Sequence, residues 1–219
     1  MLNHSSPHHQ RTNSSQNLHP SICGQQFLLT SSSSLLINTT RLQNTYPFLE
    51  KALSDIGLSI QPKKLKIMHF TKGPDQESPP FHLPSLNHPI SAPKSLHWLG
   101  FHLDCHLHFT HHTKHLAAKA TRTVHTMHVL GNLVKGMSYP QLRTLTLSTI
   151  TPTLTYGCQL WWEGKFSKSN TNHLQTALNG ALQLICRGFQ STLVYTLQHF
   201  LHIPPIKFSI HKLCYSASI

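Results

Sequence analysis

The sequence predicts an α+β chain, with a small sheet at the front and a mostly helical bundle behind it. Three observations predict this. Residues 65–70, "LKIMHF", and 95–104, "SLHWLGFHLD", alternate between two faces as strands do. From about residue 110 onward apolar residues recur at helical spacing instead. Between the two strand-like runs lie Gly73, Pro74, Pro79, Pro80, Pro84, Pro89 and Pro93, which mark a loop, because proline removes the donors that a ladder or helix needs.

The elements follow in chain order. Residues 1–21 are polar and contain Pro7 and Pro20, so residues 1–24 read as a disordered segment. "QQFLLTS", 25–31, suggests a short strand, and Ser31 to Ser34 can cap a helix. Over 35–56, Leu42, Tyr46, Leu49, Leu53 and Ile56 fall on one helical face, and Gly57 stops the helix. In the run 95–104, Gly100 marks a bend or bulge, and Trp98, Phe101 and Leu103 suit a buried face. A long helix over 110–130 lines one side with Leu116, Ala120, Val124 and Met127. Ser138 and Pro140 open another helix, which carries Leu142, Leu145 and Leu147 toward Pro152. "YGCQLWW", 156–162, is aromatic and is expected to pack on the helices. Leu174, Ala177, Leu178, Ala181, Leu182 and Ile185 predict a helix over 171–187, and a last helix over 191–202 ends at Pro204 and Pro205. The domain reading is 25–108 for the sheet remnant, 109–206 for the helical part and 207–219 for a tail.

The charge balance narrows the function classes. There are 18 Lys and Arg, 6 Asp and Glu, and 20 His, a formal net charge of +12. Such a chain is attracted to polyanions, and nucleic acid is the usual partner. Cys23, Cys105, Cys158, Cys186 and Cys214 are widely spaced and form no CxxC pair, which argues against a thiolate zinc site. They fit free thiols in a reducing compartment, nucleus or cytoplasm. No secretory signal is expected at the start, and no run of 18 apolar residues suggests a membrane span.

"GLSIQPKKLKIMHF" (57–70), "HWLGFHLD" (97–104), the basic helix after 110, "LTYGCQLWW" (154–162), "LQTALNGALQLICRGF" (174–189) and "IPPI" (203–206) stand in one order. That order resembles the reverse transcriptases of LINE-like, non-LTR retrotransposons, most of all the fungal type, over residues 25 to 206. The resemblance implies the end of the palm, a primer-grip hairpin, and the helical thumb with the region just beyond it. It makes Lys64 the counterpart of a lysine that approaches the incoming nucleotide's phosphates, where a cation stabilises developing charge. Gln61 stands where the family has Asn, and Leu65 where it has Thr. Trp98 and Gly100 fall in the primer grip. Lys114, Lys119, Arg122, Lys135 and Arg143 become candidates for contacts along a template–primer backbone, which are sequence-independent and salt-sensitive. A solvated surface is the competing reading for each of these lysines and arginines.

Catalysis is not expected. The family uses Mg2+, held by one early palm aspartate and a Tyr-x-Asp-Asp hairpin. Where that hairpin belongs, the chain reads "SICGQQ" (21–26). No Asp-Asp pair occurs, and no acid precedes Glu50. The expectation is therefore a truncated, inactive fragment of an RNA-directed DNA polymerase, with no catalytic residue, no cofactor and no small-molecule substrate. The alternative is residual, non-specific nucleic-acid binding. His, Gln, Lys, Thr and Ile are also what C-to-T and G-to-A transitions leave of Arg, Glu, Ala and Val codons, which fits a decayed element. The front strands, without their palm partners, should expose apolar edges. The helices from 110 onward have more to bury against one another.

A histidine-rich metal-binding protein is a further alternative. His102, His106, His108, His111, His112 and His115 crowd one segment. His106 and His108 would share a strand face, and His111 and His115 a helix face. Carboxylates for a second shell are nearly absent, so no specific metal site is expected. No Gly-x-Ser-x-Gly elbow suggests a hydrolase.

Overall fold

The computed structural model describes residues 28–73, 79–83, 88–130, 136–162 and 167–217. The proposed disordered segment 1–24 lies outside them. The fold is α+β, a two-stranded antiparallel sheet with a helical bundle. The chain divides into two compact units, residues 1–69 with 75–92, and residues 70–74 with 93–219.

In the first unit, helix α1 spans Leu35–Asp55. Its end is a Schellman turn: Gly57 N–H donates to Ser54 O (2.9 Å) and Leu58 N–H to Leu53 O (2.8 Å), with Gly57 at φ +78°. Tyr46 and Leu53 are buried as the spacing predicts. Ile56 is not; it is 68% exposed because it already lies in the cap, off the helical face. Tyr46 joins Ile67, Phe81 and Leu83 in a small core that Leu42, Ile60, Leu65, Ile90 and Ala92 border. Phe81 and Ile90 exchange both backbone bonds across the proline loop.

Two expected strands are not found among the described residues. Residues 28–31 are irregular, and residues 25–27 lie outside the described part. Over 65–70 burial does alternate, with Ile67 and His69 inward and Lys66 and Phe70 outward. Yet a strand needs a ladder, and no neighbour among the described residues pairs with this run. Side-chain alternation and backbone pairing are separate properties, and the sequence reports only the first.

In the second unit, "SLHWLGFHLD" is a hairpin rather than one bent strand. Strand β1, Ser95–Trp98, pairs with β2, Phe101–Asp104, from Ser95↔Asp104 to Trp98↔Phe101. The turn is Leu99–Gly100, with φ +48° and +82°. Positive φ at both positions is what a tight two-residue hairpin requires. The hairpin belongs with the helices, so the compact units part near residue 92, not at the 108/109 boundary set from sequence.

Helix α2, Thr110–Leu130, and helix α6, Ser167–Cys186, are the central pair of the bundle. Leu116, Ala120, Val124 and Met127 meet the stripe from Leu174 to Ile185, and every residue of both predicted stripes is buried. Helix α3, Tyr139–Leu145, opens on a capping box in which Gln141 Oε1 accepts from Ser138 N–H (2.8 Å) and Oγ–H (2.9 Å). A π-helical turn, Thr146–Ile150, then runs into α4, Thr151–Leu154. Buried residues fall at Leu142, Thr146, Ile150 and Leu154, every fourth position. A straight α-helix would drift about 40° per such step, and the wide turn holds them on one face. Leu147 is turned outward. Helix α5, Cys158–Trp161, buries Cys158 and Trp161, but Tyr156 is half exposed.

Helix α7, Val194–Leu201, stops before Pro204 as expected. Residues 207–219 are not merely a tail. Most of them belong to helix α8, Ile206–Ser216, whose Ile206 and Ile210 are fully buried in the bundle core. Among the described residues no helix is long and apolar enough to cross a membrane.

Candidate nucleic-acid interface

The residues proposed for backbone contact separate into exposed cations and side chains with internal work. Lys114, Lys119 and Arg122 are all exposed on α2. At 3.6 residues per turn they span about 140° of arc, opposite the buried stripe. The described acids are Glu50, Asp55 and Asp104, of which only Asp104 lies in the second unit. Asp104 Oδ1 accepts from His108 N–H at 2.7 Å, which caps the turn leading into α2. Among the described residues of this unit, the exposed cations therefore share the surface with a single carboxylate, Asp104.

Arg143 is different. Its Nε–H donates to Leu201 O at 2.8 Å, satisfying a carbonyl in the last turn of α7. The neighbouring Tyr139 and Phe200 rings meet edge to face at 6.0 Å. Arg143 thus ties α3 to α7. Lys64 is exposed at the end of a 3-10 turn, Pro62–Lys64, in the first unit. Lys135 lies outside the described residues.

Trp98 is half-buried at the end of β1, and Gly100 forms the turn. A Cβ on Gly100 would sit 3.1 Å from Tyr156 Oη. Tyr156 O–H donates to Leu99 O at 2.9 Å, so the tyrosine closes over the hairpin tip. Phe101 stacks on Tyr156 and on His112, with ring centroids 5.1 Å apart in each case. Gly157, at φ +62°, lets the chain pass beneath Phe101, whose ring a Cβ there would strike. The free edge of β2 is covered in the same region. In a hairpin with a two-residue turn, the second pair from the turn carries no cross-strand bonds. His102 is in that pair, so its N–H points outward, and His112 Nδ1 accepts it at 3.4 Å.

Sequence reasoning missed the polar pins that hold this region. Asn170, on α6, donates through Nδ2 to His108 O (3.0 Å), and its Oδ1 accepts from Thr113 Oγ1 (3.2 Å). It is buried one turn before Leu174 on an apolar stripe. A polar residue at an inward register position was the available signal. Gln175 Oε1 accepts from Ile206 N–H (2.9 Å) and fixes the start of α8.

Histidines surround the hairpin. His112 is fully buried, and burial pushes its pKa down to about 4, assisted by His102, His115 and His111 and opposed by the Tyr156 backbone. Burial also lowers His102, with His115, His111 and His97 adding to the shift. His115 is lowered by burial and then by Arg122, which places that guanidinium close by. His106 and His108 do stack, at 5.3 Å, but in the turn after β2 rather than on a strand. Cys105, Cys158, Cys186 and Cys214 are in no disulfide, Cys214 S–H donates to Cys158 Sγ at 3.7 Å, and burial, with Cys214 beside it, pushes the Cys158 thiol up to about 12.

No protein-family model, curated protein or solved structure matches the chain.

Proposed function

We propose that this chain is a catalytically inactive segment of a non-LTR retrotransposon reverse transcriptase, carrying the palm end, primer grip and thumb. Its remaining activity is sequence-independent binding of a template–primer duplex. The order of the quoted sequence segments supports the family reading. The hairpin at 95–104 and the helices after it have the element types that the resemblance implies.

One observation carries the binding reading. Lys114, Lys119 and Arg122 are exposed on a helix anchored by its opposite face, in a unit whose described part holds the single carboxylate Asp104. Such a surface attracts phosphates wherever they lie along a duplex and reads no bases. Catalysis is not part of the reading, because two-metal phosphoryl transfer needs carboxylates set together. Glu50 and Asp55 stand on α1 and Asp104 ends β2, and no Asp-Asp pair exists in the chain.

The test is a titration of RNA–DNA duplex at several salt concentrations. Binding should weaken with salt. Lys119→Ala and Arg122→Ala should each reduce the slope of log K against log salt by about 0.9. Absence of binding at low salt would end the proposal.

A further inference from the structure

His97 and His102 face each other across the hairpin, and their rings are 4.7 Å apart. His111 and His115 are one turn apart on α2 and therefore neighbours on its surface. The His102 ring lies 4.7 Å from His111 and 4.5 Å from His115. The fold thus gathers four imidazoles, two from the hairpin and two from the helix, around His102. The sequence placed His111 and His115 on one helix face. It did not show that the hairpin would bring His97 and His102 onto the i, i+4 pair.

Two of these rings hold a second clue. His102 Nε2 and His115 Nδ1 are buried and have no hydrogen-bond partner among the described residues. A buried nitrogen without a partner is costly, and an ion is one remedy. As they stand, no three His, Cys, Asp or Glu side chains among the described residues form a finished cage. The centroids of the His97, His111 and His115 rings all lie within 4.7 Å of the His102 ring, and the χ2 torsion of histidine is broad, so turning of the rings to share one ion is part of what is proposed.

We propose that His102, His111 and His115, with His97 as fourth donor, form a site for a borderline transition-metal dication such as Zn2+. The donor set decides the class of ion. Four imidazoles and no carboxylate suit Zn2+, Ni2+ or Cu2+, and they do not suit Mg2+, which demands oxygen. The site lies on the same face of α2 as the proposed duplex-binding cations. Lys119 and Arg122 stand near His115 and oppose a cation there. The affinity therefore rests on the chelate geometry and on satisfying the two buried nitrogens.

Zn2+ titration of the full chain by calorimetry tests this, with Mg2+ as the contrasting ion. The expected result is one saturable 1:1 site above the weak background of the other histidines, and no heat from Mg2+. His97 and His111 are exposed, so His97→Ala and His111→Ala should leave the circular dichroism unchanged. His111→Ala should weaken the 1:1 site at least about tenfold. His125→Ala, on the same helix away from the cluster, should not. Co2+ in place of Zn2+ should give the intense visible bands of a tetrahedral site. A multi-site isotherm that His111→Ala leaves unaltered would overturn the proposal, as would equal loss in His125→Ala.

Discussion

His112 shows how one residue sets a condition on the whole bundle. It is buried against Phe101, accepts the His102 N–H, and binds a proton only near pH 4. In an unfolded chain a histidine binds its proton near pH 6.5. Above that value both states are neutral and the stability is complete. As pH falls from about 6.5 toward 4, the unfolded chain takes the proton first, and stability is lost, on the order of 2 kcal/mol after allowance for solvent screening. Urea midpoints between pH 7 and 4.5, measured with chelator present, should fall accordingly. His112→Phe should flatten that profile whatever its absolute stability. The lowered values of His102 and His115 have the same sign. Gly157 is a second residue of this kind. Its φ of +62° and the Phe101 ring over it leave no room for a methyl group. Gly157→Ala should lower the thermal midpoint by several degrees, corresponding to about 2 kcal/mol.

At the scale of elements, the hairpin is held by its neighbours more than by its own turn. Leu99 adopts φ +48°, where glycine or asparagine is favoured, and it is 42% exposed. Little packing offsets that strain, although Tyr156 O–H holds the Leu99 carbonyl. Leu99→Gly should therefore raise stability by about 0.5–1 kcal/mol, readable as a higher urea midpoint at unchanged slope. No gain, or a loss, would mean that Leu99 packs more than its exposure suggests. Helix α8 makes the opposite point. Ile206 and Ile210 are fully buried, so removing residues 206–219 should abolish cooperative unfolding of the bundle. Ile210→Ala alone should cost about 2–5 kcal/mol. A disposable tail would give neither result.

For the whole molecule, the imbalance between 18 basic and 6 acidic residues governs what the chain meets. It favours polyanions, and under the proposed reading it leaves too few carboxylates for two-metal phosphoryl transfer. Primer extension with Mg2+ and deoxynucleotides should give no product. Extension that a chelator abolishes would refute the inactive reading.

Much of this was legible in the sequence because burial follows period. The stripes of α2 and α6, the helix start at Ser138 and the stop at Gly57 are local properties, and each stands where the residues put it. The α+β class and the exposed cations of α2 follow from the same patterns. What local pattern cannot hold is the choice of partner. "LKIMHF" alternates but finds no ladder, Leu147 gives way to Ile150 through a π-helical turn, and α8 becomes core only because the bundle leaves a groove for Ile206 and Ile210. The meeting of His97 and His102 with His111 and His115 belongs to this second kind. Periodicity fixes which side of an element is apolar, whereas only the packed chain fixes what that side, or its polar edge, will touch.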